Sequence, residues 1–342
     1  MIIRADASPQ IGTGHVMRCI ALAQHWQDAG GHAVFVMAMD TPSLKMRLRS
    51  ERIEVIYLST CPGSIDDAKK TVDIAKAVSA SWTIIDGYHF GAGYQKIIRN
   101  SGVRLLLIDD VGLAEHYYAD IVLNQNLHAK EDSYKNREPY TQLLLGTRFV
   151  LLRREFSKWR GWRRKIPETA RKILVTMGGS DPYNVNQKII QAIQQVIVDK
   201  TKVIMVAADN SYYGKLKSIA RYSGINIQLK KNVTDMSKLM AWSDMGISAG
   251  GTTSWEFAFM GVPMLLLAIA DNQRQVVKHF CEVGAAVSLG WYENLTLPEL
   301  AQEISKLLKV GKTREELSRC AQELVDGMGA YRVLEQMKVV GS

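Results

Sequence analysis

A chain of 342 residues, 47% of them hydrophobic and with a formal charge of +9, is too long for one ordinary core and suits two packed domains. No apolar run approaches the ~20 residues of a membrane-spanning helix, and the four cysteines (Cys19, Cys61, Cys281, Cys320) include no CxxC pair, which argues against stable membrane insertion and against a zinc or dithiol motif. The positive charge admits nucleic acid, an anionic surface or a phosphorylated small molecule as partner.

In chain order, the opening MIIRADASP sets Arg4 and Asp6 where a signal peptide needs an apolar stretch, so the expected compartment is the cytoplasm. Short apolar runs then alternate with helical patterns. Strands are predicted at Ile2–Ala5, Ala33–Met37, Glu54–Leu58, Trp82–Asp86, Leu105–Asp109 and Ile121–Asn124. The first helix, predicted over Gly14–Ala29, has Val16, Ile20, Ala23 and Trp26 at helical spacing and stops at Gly30-Gly31. Uninterrupted apolar strands such as RLLLI fit a parallel sheet covered on both faces.

Residues 153–165, RREFSKWRGWRRK, form the densest basic run. Basic residues mixed with tryptophans suit base stacking or a lipid interface, but an amphipathic helix at a domain junction is the favoured reading. A second series follows, with strands predicted at Ile173–Thr176, Val203–Ala207, Ile225–Leu229, Met245–Ser248, Pro263–Ala268 and Ala286–Leu289, and helices including Asn184–Ile197 and Thr253–Met260. The expected organisation is therefore α/β. A Rossmann-like domain spans 1–152, a basic linker 153–170, and a second Rossmann-like domain 171–342, whose helical tail after Leu297 caps it. In such sheets ligands sit beyond the carboxyl ends of strands, and the cleft between two facing domains is the expected site.

Three glycine-bearing strand ends carry the chemistry. The first is Ile11-Gly12-Thr13-Gly14-His15, followed by Arg18. Its glycines allow a sharp turn and close backbone approach, and its helix start favours negative charge nearby. Met17 breaks the GxGxxG fingerprint. A neutral imidazole at His15 can take a proton from water; the competing reading is a histidine that caps the helix. The second is Ser248-Ala249-Gly250-Gly251-Thr252-Thr253-Ser254-Trp255-Glu256. Its backbone amides and hydroxyls suit a diphosphate, and Glu256 suits the two hydroxyls of a ribose, or else only complements the helix dipole. The third, Thr176-Met177-Gly178-Gly179-Ser180-Asp181, is a turn for a phosphate or a uracil, or a plain β–α turn. Asp86-Gly87-Tyr88, Asp109-Asp110 and Asn124-Gln125-Asn126 add acids and amides suited to sugar hydroxyls and acetamido groups. Asp109-Asp110 is also a possible divalent-metal pair, though no HxxxH or DxD accompanies it, and neither metal nor cofactor is expected.

These segments together resemble the UDP-2,4-diacetamido-2,4,6-trideoxy-β-L-altropyranose hydrolases of pseudaminic acid biosynthesis. The resemblance runs through RADAS–IGTGHVMR, IIDGY (84–88), IDD (108–110), LNQN (123–126), LLRREF (151–156), TMGG (176–179), SAGGTTSWE (248–256) and DNQ (271–273). The glycine–glutamate motif is shared with the N-acetylglucosaminyltransferase of peptidoglycan lipid synthesis. The resemblance implies a GT-B fold, UDP held by the second domain, and inverting attack of water on the anomeric carbon with C–O cleavage. It makes His15 the catalytic residue and Glu256 the ribose ligand. It brings Asn272 and Gln273 near the sugar or diphosphate, and gives Asp86, Tyr88 and Arg153 binding roles alongside Gly12, Gly14, Arg18, Gly178, Gly179, Gly250, Gly251 and Thr252. The expected partners are the UDP-sugar and UDP, with no nucleic acid, and the chain is expected to act as a monomer. Two other readings stand beside it: a glycosyltransferase of the same fold, docked on a membrane by 153–165, and a nucleotide- or nucleic-acid-binding module. No motif anchors the tail beyond Gly290, and His89 and Phe90 have no assigned part.

Overall fold

The computed structural model describes residues 1–8, 11–179, 181–196, 200–208 and 210–341. The chain divides into two compact units, Met1–Arg154 with Gly327–Ser342, and Glu155–Asp326.

Among the described residues the first unit holds a seven-stranded parallel sheet. Its elements run β1 (Ile2–Ala5), α1 (Gly14–Asp28), β2 (Val34–Met37), α2 (Pro42–Ser50), β3 (Glu54–Tyr57), α3 (Ile65–Ala77), β4 (Trp82–Asp86), α4 (Ala92–Asn100), β5 (Arg104–Ile108), β6 (Ile121–Asn124) and β7 (Gln142–Leu145). The strand order is β3-β2-β1-β4-β5-β6-β7. Successive residues of β1 face opposite ways, so Ile3 enters one core and Ile2 the other; β4 does the same with Ile84 and Ile85. This double burial is why both strands are apolar without alternation. Helix α1 buries Val16, Cys19, Ile20 and Ala23 against the sheet. Edge strand β7 lies outside the predicted set.

The second unit contains β8 (Lys172–Thr176), α5 (Val185–Gln195), β9 (Lys202–Val206), α6 (Tyr213–Tyr222), β10 (Asn226–Lys230), α7 (Met236–Trp242), β11 (Met245–Ala249), α8 (Thr253–Phe259), β12 (Met264–Ala268), α9 (Asp271–Glu282), β13 (Val287–Trp291), α10 (Leu297–Lys309) and α11 (Gly311–Leu324). Its sheet, again parallel, runs β10-β9-β8-β11-β12-β13 among the described residues. Each unit is thus a doubly wound α/β fold. The winding direction reverses between β1 and β4 in the first and between β8 and β11 in the second, and a crevice opens beyond the strand ends at such a reversal. Ile197, the end of one predicted helix, lies outside the described residues.

Two expectations about organisation are corrected. The helical tail stays with the second unit only in part: α10 and α11 pack Leu300, Ile304, Leu307 and Leu317 into its core, whereas helix α12 (Gly329–Gly341) buries Ala330, Val333, Leu334 and Met337 in the first unit's core. Nor is the basic stretch an amphipathic helix or a separate linker. It opens as a 3-10 turn over Arg154–Trp159, and from Glu155 onward it belongs to the second unit. There Trp159 Nε1 donates to Ser237 Oγ at 2.9 Å and Lys158 pairs with Asp235 at 3.0 Å. The Arg164 guanidinium donates to the carbonyls of Met240 at 2.6 Å, Met260 at 3.1 Å, and Ser243. Burial lowers Arg164 to about 10. Arg314 likewise holds the carbonyls of Pro167 and Glu168 at 2.5 and 2.8 Å. Arg164 and Arg314 thus satisfy carbonyls at helix and loop ends.

Candidate functional site

In the first unit, the loop after β1 and the loop after β4 meet at the winding reversal. Gly12 takes φ +78°, a conformation glycine adopts without strain, and its N–H donates to the Ser8 carbonyl at 2.7 Å. Gly14 begins α1 and His15 follows in its first turn, 7% exposed. Its Nδ1 lies 2.6 Å from Asp86 Oδ1, at the last residue of β4.

One turn along α1, Arg18 locks this pair. Its Nε and Nη2 donate to Asp86 Oδ2 and Oδ1 at 2.6 and 2.7 Å, a fork-to-fork geometry. Its Nη1 reaches Asp110 Oδ1, beyond β5, at 2.7 Å. Asn126, beyond β6, donates to the same Oδ1 at 2.8 Å, and Tyr88 donates to Asp110 Oδ2 at 3.2 Å. The Tyr88 ring stands edge-on to the imidazole, centroids 5.0 Å apart, and is 52% exposed. Cys19 adds its thiol to Asp86 Oδ2 at 3.4 Å.

Burial alone would push both carboxyls up. The Arg18 charge outweighs it, with His15 and hydrogen bonds contributing, and holds Asp86 well below the usual carboxylate range. Arg18 does the same, less far, for Asp110. Arg18 itself is buried, yet the two carboxylates keep its proton on. Cys19 is pushed well up by burial and then by Asp86, so it stays a thiol.

An ionised Asp86 can only accept, so the proton of a neutral His15 belongs on Nδ1. The lone pair then sits on Nε2, the nitrogen that can take a proton from water. A base oriented by a buried carboxylate is the arrangement general-base catalysis requires.

The remaining first-unit residues divide. Asp109 serves its own turn, accepting from Val111 and Gly112 N–H at 2.9 and 3.1 Å and from Tyr117 at 3.1 Å; it does not join Asp110 as a ligand pair. Gln125 Oε1 accepts the Leu151 N–H at 3.0 Å, and Arg153 is buried two residues further on. Asp86 is 1% exposed, so it serves His15 and Arg18 rather than offering a surface to sugar hydroxyls. The sequence reading missed Asp110 as a partner of Arg18. It also left His89 and Phe90 unassigned. The Arg4 guanidinium lies over the Phe90 ring at 5.4 Å and pairs with Asp6 at 2.6 Å and Asp67 at 2.9 Å, while His89 Nε2 approaches Asp6 at 3.9 Å. The loop after β4 thus packs against the buried Arg4–Asp6–Asp67 cluster.

In the second unit, the glycine motifs after β8 and β11 flank the reversal. Gly178 takes φ +79° and is exposed together with Gly179; Ser180 lies outside the described residues. Asp181 accepts from the N–H groups of Val185 and Asn186 at 2.8 and 3.0 Å and so caps α5. The Gly250 N–H is spent on the Leu267 carbonyl at 2.9 Å, which corrects its expected role as a phosphate donor. Gly250 supplies space instead, since an added Cβ would meet Val277 Cγ2 at 2.5 Å. An added Cβ at Gly251 meets nothing nearer than Gln273 Nε2 at 4.0 Å, which brings Gly251, Thr252 at the N-cap of α8, and Gln273 on α9 into one neighbourhood. Gln273 Oε1 accepts from the Ile269 N–H at 3.0 Å, leaving its amide group to donate. Asn272 is exposed beside it, and Glu256 is buried in α8. Among the described residues no three His, Cys, Asp or Glu side chains converge as metal ligands, and no helix is long and apolar enough to cross a membrane.

Comparison with known proteins agrees with this architecture. Residues 173–335 match the glycosyltransferase family 28 C-terminal domain. The chain is 28% identical over 280 residues to an uncharacterized protein of Methanocaldococcus jannaschii, matching 80% of this chain but 56% of that protein, little more than half its length. It is 28% identical to the spore coat polysaccharide biosynthesis protein SpsG of Bacillus subtilis, over 70% of each. It is 24% identical to the UDP-2,4-diacetamido-2,4,6-trideoxy-beta-L-altropyranose hydrolase of Campylobacter jejuni, over 84% of this chain and 98% of that one. Among solved structures, MurG of Acinetobacter baumannii superposes with a TM-score of 0.68 at 15% identity, covering 99% of each chain. A UDP co-structure of MnaA from S. aureus gives 0.67 at 13%, covering 98% and 95%. The fold is GT-B type, with two Rossmann-like α/β domains.

Proposed function

We propose that this chain hydrolyses a UDP-linked diacetamido sugar, UDP-2,4-diacetamido-2,4,6-trideoxy-β-L-altropyranose or a close stereoisomer, without a metal. The observation that carries this reading is the 2.6 Å contact between His15 Nδ1 and an Asp86 carboxylate held ionised by Arg18. His15 Nε2 takes a proton from water, and the water oxygen bonds the anomeric carbon on the face opposite UDP. The C1–O bond breaks with its electron pair leaving on the diphosphate, and the imidazolium later returns its proton to solvent. The second unit supplies the groups for UDP: Glu256 for the ribose hydroxyls, Gly178, Gly179, Gly251 and Thr252 for the diphosphate, and Asn272 and Gln273 for the sugar. Arg153 is assigned to substrate and Tyr88 to the wall beside His15. The likeness to the C. jejuni hydrolase over nearly that protein's whole length supports this substrate class. On this reading the product enters pseudaminic acid biosynthesis and so the glycosylation of flagellin or surface polysaccharide, and the enzyme works as a soluble monomer in the cytoplasm.

The experiment is an NMR time course on a panel of UDP-diacetamido sugars in ¹⁸O-water, with EDTA and no acceptor. Release of UDP and free sugar, with inverted anomeric configuration and the label in the sugar, is the expected outcome. Label in the phosphate, or full dependence on an added metal, rejects it. A second reading, transfer to a sugar or lipid acceptor, is favoured by the family 28 domain. It requires that UDP release without acceptor be negligible.

A further inference from the structure

We propose that Asp110 is a positioning residue for the His15 base, joining the buried His15–Asp86–Arg18 group to the half-exposed Tyr88. The inference rests on His15 acting as a base. Asp110 is partly buried beside Arg18, their side chains 17% and 4% exposed, and each of its oxygens is engaged. Oδ1 accepts from Arg18 Nη1 at 2.7 Å and Asn126 Nδ2 at 2.8 Å, and Oδ2 accepts from Tyr88 at 3.2 Å. Asn126 is itself oriented, its Nδ2 also reaching Asn124 Oδ1 at 3.0 Å. Arg18 bridges Asp110 and Asp86, its Nη1 bonding one and its Nε and Nη2 the other. Asp110 thus fixes the guanidinium that orients Asp86 and the phenol ring that flanks His15, from a position that does not touch the imidazole.

The charge count explains why a second carboxylate is useful. The groups around His15 are Asp86, Arg18 and Tyr88, with Cys19 on the far oxygen of Asp86, then Asp110 and, further off, His89. With Cys19 and Tyr88 uncharged and His15 neutral, the two carboxylates and Arg18 sum to one negative charge. Protonating His15 brings the sum to zero. Without Asp110 the resting sum is zero, and protonation creates a buried excess of positive charge, which is costly. Asp110 therefore makes proton uptake by His15 end in a balanced cluster.

The test is the pH titration of the ¹⁵N-labelled His15 imidazole in the substrate-free protein, alongside kinetics on the UDP-sugar. In Asp110→Asn the His15 midpoint is expected to fall by about one pH unit, the acid limb of kcat/KM to move with it, and kcat to fall about tenfold with KM little changed. Asp110→Glu is expected to restore the midpoint. An unmoved midpoint in a folded Asp110→Asn overturns the proposal. If that variant does not fold, Asn126→Ala removes a bond on Oδ1 but no charge: kcat is expected to fall several-fold with the midpoint unmoved, and unchanged kcat overturns the proposal. The titration needs no substrate, so a wild type inert on every UDP-sugar rejects the hydrolase reading while the midpoint still decides Asp110.

Discussion

His15 and Asp86 stand 71 residues apart in the chain and 2.6 Å apart in space. One follows β1 and the other ends β4, and these strands are hydrogen-bonded neighbours at the point where the winding of the sheet reverses. The pair is therefore a product of topology. Loops that diverge from adjacent strand ends leave room for a ligand between them, and here one strand end supplies an imidazole and the other the carboxylate that orients it.

If His15 is the base, His15→Ala and His15→Asn lose roughly 10²–10⁴-fold in kcat. UDP affinity, measured by calorimetry, is expected to stay within about twofold, because the groups assigned to UDP lie in the other unit. Unchanged turnover removes His15 from the mechanism.

Asp86→Asn tests the tautomer. An amide in this place can donate to Nδ1, which leaves the proton on Nε2 and abolishes the base without removing the ring. The expected loss is again roughly 10²–10⁴-fold, with the imidazole nitrogen shifts reporting the exchanged tautomer. Full activity together with exchanged shifts contradicts the assigned role of Nε2.

Most of this fold was legible in the chain. Strands buried on both faces, such as Trp82–Asp86, announce themselves as unbroken apolar runs, and their bounds agree with the structure to within a residue or two. Edge strand β7 escaped because it is four residues long and partly exposed. The apolar spacing of Val333, Leu334 and Met337 gives a helix but not the sheet it covers, so α12 was assigned to the wrong unit. At the site, His15 was marked by its glycine loop, whereas Asp86 looked like one more strand-end acid. The winding reversal was the available signal: it makes the ends of β1 and β4 neighbours. Distances between loops are fixed by tertiary packing, so the Arg18–Asp110 bond had no trace in local sequence.

The charge cluster also sets the acid behaviour of the first unit. Asp86 and Asp110 are held below the ordinary carboxylate range by Arg18 against burial. Their stabilisation is therefore fully present above about pH 4, the unfolded value, and is lost as pH falls toward the depressed native values. The urea midpoint should be flat near neutrality and drop below about pH 4. Replacing Arg18→Met leaves burial dominant, which raises both carboxyls. Stability should then increase as pH falls from 7 toward 5. An Arg18→Met profile of wild-type shape argues against this account.

Glu256 lies buried in α8, and its proposed work is to accept two ribose hydroxyls. Glu256→Gln keeps the shape but removes the charge and one acceptor. The expected cost is about 1–3 kcal/mol, or roughly 5- to 150-fold in the Kd of UDP. The decisive control is deoxygenated ligand: wild type should lose a similar factor on 2′-deoxy-UDP, and the variant much less. Equal losses in both proteins sever Glu256 from the ribose.

Helix α12 returns from the second unit to complete the first, and Leu334 is 5% exposed in that core. Leu334→Ala is expected to cost about 2–5 kcal/mol through lost burial and a residual cavity. Lys338 lies on the same helix with its side chain exposed and paired to Glu335. Lys338→Ala should change stability by no more than about 0.5 kcal/mol. Chemical denaturation of both variants separates packing of the helix face from a general effect of altering the tail. Because α1 carries both His15 and the contacts with α12, the Leu334→Ala protein should also lose turnover at temperatures below its unfolding midpoint. Retained stability in Leu334→Ala means that the tail is not part of this core.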